Sequence, residues 1–251
     1  MSKGKRDRAA EAKRIVEQQK AAERRRRVTI WTSVAVVAVL VIAGLIGWAV
    51  LAGQEKTDAG KLTTPPTAVD NGTAFAIGTG PVTLDLYEDF MCPICHEFEN
   101  QSGAAIKQLV ADKKVTVRYH PVSILDRASN GTKYSTRSAG AAAAAAEGGK
   151  FIEYHDLLYA NQPEENSSGL TDAKLIELGK SVGLGDAFAT AVNDKTYDAW
   201  AGKATETFSD RHYTGTPTIV VAGKQVQGAT GGVPSTAELT QAITAAGGSA
   251  G

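Results

Sequence analysis

The chain has 251 residues and a formal net charge of zero, a length that allows one or two domains. The neutral total hides an asymmetry: residues 1–27 carry eleven Lys/Arg against four acids, a surplus of seven, and the remainder holds 16 basic and 23 acidic residues, a deficit of seven. A basic head on an acidic body suggests two environments rather than one neutral protein. The head is rich in Ala, Glu, Lys, Gln and Arg from Ala9 to Arg27 and reads as partly helical. Its charge suits a topology signal that touches anionic lipid better than it suits nucleic acid. Val28 to Ala52 then runs for 25 residues without a charge, more than the roughly 20 needed to cross a hydrocarbon core. Trp31 and Trp48 stand near its ends, where amphipathic rings favour the headgroup level. Arg24 to Arg27 abut its N-terminal end, which predicts residues 1–27 in the cytoplasm and everything after about residue 53 outside. A cleaved signal peptide has an apolar run of only about 7–15 residues, so an uncleaved anchor over 28–52 is expected. Residues 53–73, polar and carrying Pro65-Pro66, read as a tether.

An outer domain is expected over 74–251. "AFAI" at its start is a short strand candidate, with a turn at Gly78 to Gly80. "PVTLDLY" (81–87) alternates Val82, Leu84 and Leu86 with Thr83, Asp85 and Tyr87, the period of a strand. From Cys95 to about Ala111, Phe98, Ile106, Leu109 and Val110 recur at helical spacing. "KVTVRYHPV" is a second strand, stopped by Pro121. A helical region follows over about 130–212. The alanine-rich stretch 132–149 reads as tight packing, and 151–161 places Phe151, Tyr154, His155 and Leu158 on one face, with His155 read as packed. The stretch 171–184 opens on Thr171 as N-cap, and 185–212 is a fourth helical stretch carrying Tyr197 and Trp200. "TPTIVVAG" (216–223) is β-branched, Gly223-Lys224 fits a hairpin turn, and "QVQGA" can pair back. Ser235 caps a last helix ended by Gly247 and Gly248. The order strand, helix, strand, helical insert, hairpin, helix predicts an α/β fold with parallel pairing at the start.

"DFMCPICHEF" (89–98) contains both cysteines of the chain. A Cys-x-x-Cys pair can be a redox couple or half a zinc site, and Cys-x-x-Cys-His is also a haem attachment pattern. Zinc needs about four ligands, and His120, His155 and His212 show no ligand spacing; His120, at a strand end, reads as a local hydrogen-bonding residue. Haem needs a suitable further ligand, and the only methionines are Met1 and Met91. A structural disulfide closing so small a loop removes little unfolded-state entropy. The redox reading has a physical basis in place. Cys92 falls between a strand and a helix N-terminus, whose free N–H groups and partial positive charge favour a thiolate. Pro93 suits an early helical position that needs no donor. Cys95 lies one turn further in, shielded, so Cys92 is the exposed nucleophile and Cys95 the resolving thiol. His96, if protonated, would favour the thiolate further. Thr216-Pro217 stands at a strand start, where a proline is tolerated.

Strand, CPxC, helix, helical insert and Thr-Pro before a hairpin resemble the thioredoxin fold in its DsbA-like form, over about residues 74–247. "EDFMCPICHEFE" is similar to membrane-anchored DsbA-like oxidoreductases of actinobacterial envelopes. The resemblance implies a thioredoxin fold with a helical insertion, preceded by one transmembrane helix. It also implies that Pro217 is a cis-proline facing the cysteines and that Thr216 offers its backbone to substrate chains. Pro93, Ile94, His96 and Glu88 are expected to support the pair. The expected activity is an extracytoplasmic thiol–disulfide oxidoreductase that introduces disulfides into secreted proteins, with neither cofactor nor metal. Implied partners are reduced secreted or cell-envelope proteins, the lipid bilayer, and a membrane reoxidase of the DsbB or vitamin K epoxide reductase kind; nucleic acid is not one. A reductase or isomerase using the same pair, and a non-enzymatic anchored thioredoxin-like binding module, are the alternatives. The chain departs from the resemblance at Leu86, where many thioredoxin-fold enzymes carry a buried acid six residues before the first cysteine. Asp85 points away from that side, and Glu88 is the weak candidate to relay a proton, with a solvated loop acid as its ordinary reading.

Overall fold

The structure, a computed structural model, describes residues 62–247. The basic head, the expected anchor at 28–52 and the first part of the tether lie outside the described residues. Among the described residues no helix is long and apolar enough to cross a membrane.

The chain runs through β1 (Phe75–Ile77), β2 (Val82–Glu88), helix α1 (Pro93–Ala111) and β3 (Val115–Pro121). A 3-10 turn at Asp126–Ala128 leads into α2 (Tyr134–Glu147), α3 (Phe151–Ala160), α4 (Asp172–Ser181), α5 (Asp186–Asn193) and α6 (Asp198–Asp210). The hairpin β4 (Thr218–Val221) and β5 (Lys224–Val226) and helix α7 (Thr236–Ala245) follow. The sheet order is β1-β3-β2-β4-β5. β2 and β3 are parallel, with Val82 opposite Val115 and Glu88 opposite Pro121; the other pairs are antiparallel. The element order is the one the sequence predicts.

β2 is the central strand and is covered on both faces. Val82, Leu84 and Leu86 are buried on one, Asp85 and Tyr87 on the other. Each aliphatic side chain fully removed from water contributes about 1.5–3 kcal/mol. The alanine helix α2 is buried on nearly every side and touches α3, α4, α5 and α6. Small side chains let those helices approach. At Gly140 a Cβ would lie 2.7 Å from Asp198 Oδ1 and 3.3 Å from the Asp198 backbone nitrogen, so a larger residue would displace the Asp198 carboxylate and push on α6.

Three expectations change. The fourth helical stretch is two helices. α5 ends where Lys195 takes a left-handed φ of 52°, with Thr196 N–H donating to the Ala191 carbonyl and Lys195 N–H to that of Val192. That is a Schellman cap, hidden in the sequence because a lysine fills the position glycine usually marks. The hairpin turn is Ala222-Gly223, both with positive φ, not Gly223-Lys224. Lys224 instead pairs with Val221, as a two-residue turn with two left-handed positions requires. The end of the expected tether is docked rather than free. Asp70 binds Arg118 and Arg211 at 3.4 and 2.7 Å, Trp200 Nε1 donates to the Gly72 carbonyl, and Val69 bridges Ala74.

Candidate active site

The carboxyl end of β2 delivers the chain to α1 through a loop that one side chain organises. Asp89 is fully buried. Its Oδ1 accepts from the Met91 N–H at 2.9 Å and the Ser135 hydroxyl at 2.7 Å, and its Oδ2 accepts from the Leu125 N–H at 2.9 Å. Its own carbonyl accepts the Cys92 N–H at 2.9 Å. Burial raises the Asp89 carboxyl to about 7, against the pull of those donors. Gln162, just beyond α3, donates through Nε2 to the carbonyls of Phe90 at 3.2 Å and Cys92 at 2.9 Å. Sequence reasoning missed both residues. An Asx turn from Asp89 to Met91 was a readable signal; Gln162 gave none.

Cys92 is the N-cap of α1 and Pro93 its first residue. Both cysteines are free thiols. Cys95 is 0% exposed and Cys92 only 5%, whereas Ile94 between them is 53% exposed. The expected exposed nucleophile is therefore recessed, because the Thr216 segment covers it: the Cys92 thiol donates to the Thr216 carbonyl at 3.3 Å. The Thr216–Pro217 peptide is cis. The Cys95 thiol hydrogen-bonds the Cys92 sulfur and lowers its pKa most; burial opposes this, and the N–H groups of Cys95 and Ile94 add to the lowering, leaving Cys92 at about 6. Cys95 is pushed up by burial, by the same hydrogen bond and by the charge of Glu88.

His96 does not join the sulfur. A residue one position after Cys95 on a helix is turned by about 100°, and the His96 ring stacks against Tyr159 with centroids 6.1 Å apart. Glu88 corrects the sequence reading in the other direction. It closes β2 and is buried, not solvated, and its Oε2 lies 3.1 Å from His155 Nε2. His155, read as merely packed, is thus an ion-pair partner. Burial alone would lower it, but the nearby carboxylates of Asp156 and Glu88, and the charge of Glu99, outweigh burial and raise it to about 10. Glu99, on α1, completes the group, with one atom of each of Glu88, Glu99 and His155 within 4.8 Å of the others. Burial and then the Glu88 charge raise Glu99 to about 8. On the opposite face of β2, Asp85 binds Arg118 through Nε and Nη2 at 2.5 and 2.8 Å and His120 at 3.0 Å, so His120 is the hydrogen-bonding residue expected, with its partner on the neighbouring strand.

A sequence model described as thioredoxin matches residues 70–244. The reduced disulfide bond oxidoreductase DsbG from Mycobacterium tuberculosis superposes with a TM-score of 0.62 at 28% identity, covering 72% of this chain and 91% of that one. Oxidised DsbA from the same organism superposes with a TM-score of 0.61 at 29% identity, covering 70% and 93%. The serine/threonine-protein kinase PknE of Mycobacterium tuberculosis is 29% identical over 161 residues, 60% of this chain; the chain spans 28% of that kinase's length.

Proposed function

The chain belongs to the thioredoxin family whose sequence model covers residues 70–244, and on that premise we propose that it is a DsbA-like thiol–disulfide oxidoreductase that introduces disulfides into secreted proteins. The observation that carries the reading is the inequality of the two sulfurs. Cys92, at about 6, favours the thiolate at pH 7, while Cys95 is sealed and held protonated. A stabilised Cys92 thiolate stabilises the reduced pair, and a pair whose reduced form is stabilised oxidises its partners.

In the reaction, a substrate thiolate attacks the Cys92 sulfur of the oxidised pair. The Cys92–Cys95 bond breaks, and Cys95 leaves and takes up a proton. The substrate's second thiolate then attacks its own sulfur in the mixed disulfide and expels Cys92 as a thiolate. The substrate loses two electrons and the pair gains them. On this reading an extended substrate backbone would pair with the Thr216–Pro217 segment, which already lies against Cys92, and exposed Ile94 would offer it an apolar contact. The uncharged segment 28–52 with its arginine flank supports a single-pass anchor with the N-terminus cytoplasmic and the catalytic part outside. A membrane reoxidase of the DsbB or vitamin K epoxide reductase kind would take the electrons.

The reduction potential tests the direction. Equilibration with glutathione should give a value well above thioredoxin's, towards the roughly −120 mV of strong oxidants; one near or below about −270 mV would make the protein a reductase. A Cys92→Ala chain that kept its function would be a binding module instead.

A further inference from the structure

Leu86 occupies the place of an acid, yet Cys95 is fully enclosed and must gain and lose a proton each cycle. That requirement rests on the oxidoreductase reading. Three elements converge behind Cys95: Glu88 ends β2, Glu99 sits on α1 and His155 on α3. Cys95 and Glu99 are four residues apart on one helix and share a face. Gly103, one further turn along, leaves the room Glu99 uses: a Cβ there would stand 2.7 Å from Glu99 Oε2. Buried Glu88 Oε1, Glu99 Oε1 and the Tyr159 hydroxyl have no hydrogen-bond partner. We propose that Glu88, Glu99 and His155 act as one proton-holding unit for Cys95, giving it a proton when it leaves a disulfide and taking one when it attacks.

The charge balance supports this. Two carboxylates this close, in a site removed from water, face His155 and, from the solvent edge, Lys107, and cannot both ionise freely, so one proton is shared between them. Glu88 is near enough for its charge to bear on the Cys95 thiol, and Tyr159 senses Glu88, Cys95 and Glu99 together. His155 is faced by Glu88 from β2, Glu99 from α1, Tyr119 from β3, and Asp156 and Tyr159 from its own helix, with Phe90 and Phe151 around it. The cluster reaches the solvent edge: His155 Nδ1 makes no hydrogen bond but lies 3.5 Å from Asp156 Oδ1, and Asp156 Oδ2 is 2.6 Å from Lys107 Nζ, both side chains more than two-fifths exposed. Glu88 and His155 are positioning residues that fix where the proton resides. Without Glu99, a Glu88 carboxylate paired to a protonated His155 is a poor proton acceptor, and the attack of Cys95 slows.

The test uses the reduced full-length chain and an aromatic disulfide that releases a coloured thiolate. The first release reports attack by Cys92. The second reports Cys95 attacking the mixed disulfide at Cys92, forming the Cys92–Cys95 bond. In Glu99→Gln the first release should stay within about twofold of the parent. The second should slow about tenfold or more at pH 7, with its pH profile displaced. His155→Gln should do the same and His155→Lys should recover part of the rate; if the His155 variants do not fold, the nearly isosteric Glu99→Gln carries the test. An unchanged second release and pH profile in Glu99→Gln would overturn the proposal. So would a parent profile that shifts on adding a chelator, since the cluster would then hold a cation. Absence of the first release would overturn the oxidoreductase reading and this inference with it.

Discussion

Asp85 and Glu88 are three residues apart on β2, and each anchors a buried acid–histidine cluster on its own face of the sheet. Around Asp85 two guanidinium groups, from Arg118 and Arg211, answer the two carboxylates of Asp85 and Asp70. Burial would raise Asp85, but hydrogen bonds from His120 and Arg118 hold it below the usual carboxylate range, and burial keeps His120 below its ordinary value. Around Glu88 no guanidinium is among the groups that face His155; Glu88, Glu99 and half-exposed Asp156 share one histidine, and both Glu99 and His155 move up. Two sets of similar side chains therefore differ chiefly in fixed counter-charge, which is bonded directly to Asp85 and stands only at the solvent edge, on Lys107, in the Glu88 cluster. Where it is bonded directly the cluster is a staple; where it is not, protons supply the balance, and the cluster responds to pH.

The sharpest way to break this contrast is Arg118→Met. It leaves Asp85 buried without its main partner, and urea unfolding should lose about 3 kcal/mol while Cys92 reactivity stays unchanged. A parallel loss of thiol reactivity would mean that the faces are not independent. Next in size is His155→Gln, which should cost about 2 kcal/mol at pH 6. The folded pKa of His155 lies above its unfolded value, so its contribution is full below about 6.5 and lost as pH rises through about 10. Glu99, also raised, loses its contribution between about 4.3 and 8, in the same sense. The parent should therefore weaken from pH 6 to 10, and the gap to His155→Gln should close. The potential gives a third effect. Cys92 is depressed, so its thiolate stabilises the reduced folded form above the ordinary thiol range, and this is lost as pH falls through about 6. The slope of the potential should steepen from about 30 to about 59 mV per pH unit below that point, and Arg118→Met should leave the break in place. The smallest effect calibrates the others. Thr171 caps α4 by accepting the Lys174 N–H, and Thr171→Ala should cost about 1 kcal/mol at every pH.

What the sequence made legible was local. The alternation in β2, the cap at Ser235 and the cysteine pair at a strand–helix junction are each set by residues close together in the chain, and they predicted the element order and the position of the thiols. The unread parts depend on distance along the chain or on atypical residues. Glu88 meets His155 across 67 positions, and no periodicity reports such a pairing. Lys113, Lys195 and His212 end helices in left-handed conformations that composition assigns to glycine. The segment before Ala74 looked like tether because its anchors, Arg118, Trp200 and Arg211, are all elsewhere.

Gln162 and Ser135 belong to the inserted helical region, yet they hold the carbonyls of Phe90 and Cys92 and the carboxylate of Asp89. Half the mould for the cysteine loop is thus supplied by a segment that in outline seems an appendage. The ten-residue motif is consequently not portable. Grafted onto a related frame without the insertion, it would bring the same letters but not the same loop, and the insertion and the motif must change together.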